Sequence, residues 1–153
     1  MTEASADYRR YLASLVLFHL AAADAVGMGP TDYQASSLLD VEGAMTTGAL
    51  AQRMGLTTSA TTRLIDRLVD SGYVRRVADP DDRRRVLVEH TGHVPDRLAE
   101  ILESVRVPIA EVVTGLSAPQ QRGLATYFRA AGEAYAASAQ DLRARARAGS
   151  AAG

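Results

Sequence analysis

The chain has 153 residues, of which 47% are apolar and 23% charged, and its formal net charge is −1. This length suits one domain with a substantial core, and the absence of cysteine excludes disulfides, cysteine zinc sites and thiol chemistry. No apolar run reaches the ~18–20 residues of a membrane span and no basic segment opens the chain, so we expect a cytoplasmic protein without a membrane anchor.

The near-zero net charge conceals an uneven distribution of arginine, which supplies all 17 basic residues. Residues 1–46 hold two arginines and six acids, a net charge of −4, whereas residues 47–90 hold eight arginines and six acids, a net charge of +2. Three of these arginines are consecutive, at positions 83–85. Such a run is either a solvated, ion-paired surface or a site for an anionic partner, and its structural context must decide.

Two helices are predicted in the N-terminal part of the chain. Between residues 8 and 26, apolar side chains recur every three or four positions, as one helix face requires, and Gly27 ends the pattern. Thr31 can cap a second helix that begins near Asp32 and ends by Gly43.

His19 is the ionisable residue on the apolar stripe of the first predicted helix. One interpretation is a hydrogen-bonded histidine of the core or of a dimer interface. The other is a wall of a ligand pocket, with Tyr33 on the next helix as a phenol partner. Both interpretations remain open from the sequence.

A helix, a tight turn and a second helix follow. Thr46 or Thr47 can cap the first of these helices, and Gly55 ends it. Thr57 can then cap a second helix over residues 58–70. This order predicts a helix-turn-helix.

The second helix of this pair is strongly amphipathic. Apolar residues such as Leu64 and Leu68 fall on one side, whereas the opposite side begins with small hydroxyls and arginine. The outward residues are Ser59, Thr62, Arg63, Asp66, Arg67 and Asp70. Short donors and arginine suit a helix end that enters a DNA major groove, and a solvated polar face is the alternative. Arg67 is close enough to Asp66 and Asp70 to pair with them.

From residue 73 the apolar period changes to two, which predicts a β-hairpin. Its strands are residues 73–77 and 85–89, and the turn between them contains Pro80. A hairpin directly after a helix-turn-helix makes a winged helix-turn-helix, and arginine at its tip suits the strongly negative minor groove of DNA. We expect Asp82 to pair with Arg84 and fix its direction, unless the charges of the turn merely neutralise one another.

The remainder of the chain predicts two more helices. Thr91 or His93 can cap the first, and Pro108 should kink or break it. A capping box at residues 117–120 opens the final helix, and residues 148–153 are predicted to form a disordered tail.

The segment from Leu50 to Arg84 resembles the core of the MarR family of bacterial transcription regulators, and Asp82 and Arg84 match the D-x-R pattern of the family's wing. The matching residues are Leu50-Ala51, Gly55-Leu56, Thr61-Thr62-Arg63-Leu64-Ile65-Asp66-Arg67-Leu68, Gly72-Tyr73-Val74-Arg75-Arg76 and Asp79-Pro80-Asp81-Asp82-Arg83-Arg84. The flanking helical segments agree in length and order. The absence of cysteine excludes the thiol-oxidation branch of the family.

The resemblance implies a mostly α fold with a small β-hairpin wing, in which N- and C-terminal dimerisation helices flank the DNA-binding domain. The expected parts are an N-terminal dimerisation helix (1–30), the winged helix-turn-helix (31–91, with the helix-turn-helix at 47–71 and the wing at 73–90), the C-terminal dimerisation helices (92–147) and the tail (148–153).

The function implied is a homodimeric repressor that binds a pseudo-palindromic operator and is released by an aromatic or phenolic small molecule. Its helix 58–70 would enter the major groove and a wing arginine the minor groove. The predicted DNA-binding residues are Thr57, Thr58, Ser59, Thr62, Arg63, Arg67, Asp82, Arg83, Arg84 and Arg85. The candidate ligand-binding residues are His19 and Tyr33.

The sequence gives little support to other functions. It has no glycine-rich phosphate loop, no nucleophile elbow and no metal-ligand cluster, so we expect neither an enzyme nor a cofactor or metal site. The alternative is a winged-helix module that binds protein rather than DNA. An apolar outer face on helix 58–70 would favour that module, and the polar residues there argue against it.

Overall fold

The computed structural model describes the backbone of residues 3–151 and the side chains of residues 5–146. Six helices and three short strands follow one another in the order α1 (Glu3–Ala25), α2 (Pro30–Glu42), β1 (Met45–Thr46), α3 (Thr47–Met54), α4 (Thr58–Asp70), β2 (Val74–Ala78), β3 (Val86–His90), α5 (Asp96–Thr114) and α6 (Ala118–Ala151). This confirms the predicted mostly helical fold with a small hairpin wing.

The chain forms two compact units, Met1–Glu103 and Ser104–Gly153. The first contains α1 to α4, the three-stranded sheet and the beginning of α5, and the second contains the rest of α5 and α6.

The main core of the first unit lies between α2, α3, α4 and the sheet. Its centre consists of the fully buried Leu39, Leu50, Leu64, Ile65 and Val88, which come from all four of these parts. Leu50 of α3 and Leu64 of α4 belong to the same buried cluster, so the apolar sides of these two helices meet in this core.

The sheet is antiparallel, with β3 in the centre between β1 and β2. In the wing, Val74 pairs with His90 and Ala78 with Val86, so both strands lie one residue later in the chain than predicted. The two-residue strand β1 was not predicted, because its pairing of Met45 with Val88 joins residues far apart in the chain.

Helix caps confirm most of the predicted boundaries in this unit. The Thr46 and Thr57 hydroxyls accept hydrogen bonds from the N–H groups of Ala49 and Ala60, and Gly55 ends α3 in the left-handed conformation with φ +72°. The predicted Thr31 cap is wrong. Proline sets φ for a first helical turn, so α2 begins at Pro30, two residues before the predicted start at Asp32, and its cap position is Gly29.

A second, smaller cluster joins α1, α2 and the start of α5. Ala22 and Ala23 pack with the buried Tyr33 and Leu98. The earlier part of the predicted α1 stripe is largely exposed: Leu15 retains 40% and Val16 57% of its accessible surface.

The C-terminal helices differ from prediction at three points. Helix α5 begins at Asp96 and runs through Pro108 without a break, whereas a kink or break was predicted there. Thr91 does not cap α5, since its hydroxyl donates to the carbonyls of Gly72 and Tyr73 at the base of the wing. Helix α6 extends to Ala151, so residues 148–151 are helical where a tail was predicted, and residues 152–153 lie outside the described part.

The predicted capping box at the start of α6 is present in part. The Gln120 side-chain oxygen accepts hydrogen bonds from the Ser117 N–H and hydroxyl, both at 2.8 Å. Among the described residues, no single helix is long and apolar enough to cross a membrane, and α1 and α2 meet that length and composition only as a pair bent by 104°.

Candidate nucleic-acid interface

The beginning of α4 is held rigidly by threonine hydroxyls. Thr57 caps the helix, and the buried Thr61 donates its hydroxyl proton to the Thr57 carbonyl at 3.0 Å. The first N–H groups of a helix have no acceptor within it and carry the positive end of the helix dipole. The backbone at Thr58 and Ser59 therefore forms a fixed, exposed group of donors suited to an anion.

The outward face of α4 is polar and exposed, as the helical periodicity predicted. Ser59, Thr62 and Arg63 are exposed, whereas Leu64 and Ile65 are buried on the opposite side. Thr62 donates its hydroxyl proton to the Thr58 carbonyl at 2.9 Å, and its oxygen can still accept a hydrogen bond. Within residues 5–146, the Arg63 side chain has no ion-pair partner, so its guanidinium is available to a ligand.

Two other charged residues of this face form ion pairs with residues of other elements in the chain. Arg67 pairs with Asp32 of α2 through two hydrogen bonds of 2.8 and 2.7 Å, which raise the pKa of Arg67. The sequence had suggested Asp66 or Asp70 as its partner, and that expectation is wrong. Asp66 instead accepts a hydrogen bond of 2.5 Å from Arg76 of β2.

The tip of the wing is shaped by two aspartates that bind backbone N–H groups. Asp79 accepts from the N–H of Asp81, and Asp82 accepts from the N–H of Arg84, each at 3.0 Å. The predicted ion pair between the Asp82 and Arg84 side chains is therefore wrong: Asp82 stabilises the turn through the backbone, as aspartate commonly does in turns.

The three consecutive arginines of the wing have different surroundings. The guanidinium of Arg85 lies 3.6 Å from the carboxylate of Asp79, which is itself buried. Arg83 and Arg84 are exposed, and neither side chain has an ion pair within the described part of the chain. The wing therefore presents two available guanidinium groups at its tip.

The two candidate ligand residues, His19 and Tyr33, lie together. The Nδ1 of His19 and the hydroxyl of Tyr33 form a hydrogen bond of 2.9 Å, and their rings are 5.7 Å apart. Both line a cavity of about 580 Å³ between α1 and α2, whose other walls include Leu15, Leu20 and Pro30. Partial burial lowers the pKa of His19.

Sequence reasoning missed Asp32 and Asp79, two acids that fix arginines near the predicted interface. Asp79 could have been found, because Asp-Pro at 79–80 is a strong turn signal and the arginine run follows it. Asp32 could not, since it is 35 residues from Arg67 in the chain. No group of three or more His, Asp or Glu side chains able to hold a metal occurs among the described residues.

Comparison with known proteins identifies the same region. A sequence profile of the MarR family matches residues 31–86, which include the helix-turn-helix and most of the wing. The HTH-type transcriptional regulator YcgE of Bacillus subtilis is 42% identical over 101 residues, an alignment that covers 63% of this chain and 66% of YcgE.

Solved structures share the fold. RV1404 of Mycobacterium tuberculosis superposes with a TM-score of 0.58 at 25% identity, covering 88% of this chain and 94% of the other. A point mutant of Escherichia coli MarR, complexed with operator DNA, has a TM-score of 0.50 at 20% identity, over 74% of this chain and 82% of the mutant. The profile, the relative and the shared fold agree, and the chain belongs to the MarR family of transcriptional regulators.

Proposed function

We propose that this protein is a sequence-specific regulator of transcription that binds double-stranded DNA through α4 and the wing. The observation that carries the proposal is the availability of three guanidinium groups, those of Arg63, Arg83 and Arg84, on a surface where the neighbouring arginines are held in ion pairs. The operator complex of the MarR mutant, which has the same fold, supports DNA as the partner.

In this proposal the two parts of the interface have separate tasks. The start of α4 enters the major groove, where Ser59, Thr62 and Arg63 contact base edges. Thr57 and Thr58 bind phosphate at the helix N-terminus. Arg84 enters the minor groove, Arg83 binds phosphate beside it, and Asp82 and Arg85 hold the shape of the wing.

We further propose that the active form is a homodimer on a pseudo-palindromic operator. The support is the number of apolar side chains that the flanking helices leave exposed. They include Leu17 at 66%, Val112 at 69%, Phe128 at 53% and Leu142 at 69%. Apolar surface of this extent commonly marks an interface between proteins, and two-fold symmetry is the usual form of one between identical chains.

We also propose that the cavity lined by His19 and Tyr33 binds a regulatory ligand. Its apolar walls and its paired imidazole and phenol groups suit a small aromatic or phenolic compound. We propose that such a ligand weakens DNA binding and so releases repression in the cytoplasm. No catalytic activity is part of the proposal.

A gel-shift titration at several salt concentrations tests DNA binding directly. Neutralisation of phosphates releases counterions, so the proposal requires the logarithm of the binding constant to fall steeply with the logarithm of salt concentration. Wild-type protein and the Arg63→Gln variant would be compared on the same duplex, with Arg97→Gln of α5 as the matched control. Absence of binding, or a binding constant independent of salt, would favour the protein-binding alternative.

A further inference from the structure

A bidentate ion pair connects the recognition helix α4 to α2. Arg67, in the third turn of α4, donates from Nε and Nη2 to the two carboxylate oxygens of Asp32 at 2.8 and 2.7 Å. Two parallel hydrogen bonds match the planar guanidinium to the carboxylate and fix the direction of the side chain as well as its position.

Asp32 is the fixed member of this pair. Its side chain retains only 14% of its accessible surface, compared with 58% for Arg67. It lies in the first turn of α2, where the helix dipole favours a carboxylate, between Pro30 at the helix start and the buried Tyr33. The exposed arginine is therefore directed by a carboxylate that is itself held in place.

The neighbouring arginine of α4 is not held in such an ion pair. Arg63 lies one turn earlier on the same helix and is exposed, and the described residues provide it with no carboxylate. Each additional arginine that reaches phosphate strengthens binding to any DNA sequence, whereas specificity depends on the ratio of specific to non-specific binding. A carboxylate that removes one arginine from the interface therefore changes this ratio.

We propose that Asp32 is a positioning residue that withholds Arg67 from DNA and so limits the number of phosphate contacts made by the recognition helix. This reverses the sequence-based assignment of Arg67 as a DNA contact, and it rests on the proposed function. The consequence is lower affinity for unrelated DNA without loss of the contacts that α4 makes through Ser59, Thr62 and Arg63.

The test is a salt titration of binding to an unrelated duplex by four variants: Asp32→Ala, Arg67→Gln, the double variant Asp32→Ala/Arg67→Gln, and Asp70→Ala as control. Asp70 also lines the cavity beside the ion pair, but none of the described side chains pairs with it. Its replacement therefore alters size and net charge as Asp32→Ala does, without freeing an arginine.

We expect Asp32→Ala to steepen the slope of log binding constant against log salt by about 0.9 for each protomer bound, the value for one further phosphate contact. Arg67→Gln, the double variant and Asp70→Ala should keep the wild-type slope. A wild-type slope in folded Asp32→Ala overturns the inference, as does a steeper slope in the double variant.

The single variant Arg67→Gln keeps the inference testable if Asp32→Ala does not fold. Arg67 makes no DNA contact in this account, so a slope that becomes shallower by about 0.9 per protomer in Arg67→Gln would overturn it. These results require a wild-type protein that binds DNA. Failure of the wild type to bind any duplex would overturn the proposed function itself and is recognised before any variant is compared.

Discussion

The winged helix-turn-helix and the helices that flank it differ in where their apolar side chains lie. In the first region, Leu50, Leu64 and Ile65 retain at most 1% of their accessible surface. In the second, Leu17 and Leu142 retain 66% and 69%. The winged helix-turn-helix, here called the recognition region, is thus stabilised by contacts within its own chain, whereas the flanking helices leave apolar side chains exposed, as expected under the proposed dimer.

The charged residues differ in the same way. In the winged helix-turn-helix, ion pairs join separate elements: Arg67 of α4 with α2, Arg76 of β2 with α4, and Arg75 of β2 with β3. Two ion pairs of α1 and α5, Arg10 with Asp7 and Arg97 with Glu100, instead join residues three positions apart on one helix. Pairs between elements fix a tertiary arrangement, and pairs within a helix add little to it.

The largest effect is expected from the core of the recognition region. Leu64→Ala removes a fully buried side chain from α4 and leaves a cavity, so the free energy of unfolding should fall by about 2–5 kcal/mol. Urea denaturation measures it, with the exposed Val41→Ala as control, for which a change within about 0.5 kcal/mol is expected. A loss below about 1 kcal/mol for Leu64→Ala would contradict a self-contained core.

A substitution on an apolar face of the flanking helices should weaken self-association and leave the folding of the chain unchanged. Leu17→Asp places a charge on an apolar face of α1, and it should weaken self-association by about 2 kcal/mol or more, as at a buried interface anchor. Sedimentation velocity should show the variant as a monomer with unchanged helical circular dichroism, and Val41→Asp should remain dimeric. If Leu17→Asp associates as the wild type does, this face of α1 is not the interface.

Arg84, at the exposed tip of the wing, should contribute to DNA binding without contributing to stability. Arg84→Ala removes a guanidinium that pairs with none of the described side chains, so it should weaken DNA binding by about 1–3 kcal/mol and make the salt slope shallower by about 1. Anisotropy titration against salt measures both quantities, with Arg97→Ala as control. Unchanged affinity and slope for Arg84→Ala would remove the wing from the interface.

The smallest effect concerns His19, where α1 meets α2. Burial lowers the pKa of His19 from its ordinary value of 6.5, so below about pH 6.5 the unfolded chain binds more protons at this residue than the folded one. Stability from His19 is therefore complete above that pH and is lost as the pH falls through the lowered pKa. Urea denaturation at about pH 7.5 and about pH 5.5, on either side of the ordinary histidine pKa, should show a smaller loss on acidification for His19→Gln than for wild type, and an equal loss would contradict this.

Local signals explain why the sequence predicted the winged helix-turn-helix well. The Thr46 and Thr57 caps, Gly55 and the change of period after Gly72 each act within a few residues, and the structure has each of them. The face of α4 that carries Ser59 and Arg63 was found for the same reason, because helical periodicity alone orients it.

What the sequence could not predict depends on contacts between distant residues. The pairing of Asp32 with Arg67, of Asp66 with Arg76 and of β1 with β3 has no local signature. Such contacts decide which arginines remain available, so a list of arginines drawn from the sequence could not separate Arg63 and Arg84 from Arg67 and Arg85. The uneven distribution of arginine along the sequence indicated the candidate DNA-binding region. The ion pairs in the structure then show which arginines of that region are available to a ligand.

Selection of bound duplexes from a random pool tests the central claim most directly, that α4 and the wing read DNA. A symmetric dimer should enrich an inverted repeat whose half-sites lie about 10–10.5 base pairs apart, or a multiple of that spacing. Arg63→Ala should lose preference at one position of each half-site. Failure of the wild type to enrich any sequence, or an identical preference in Arg63→Ala, would contradict the claim.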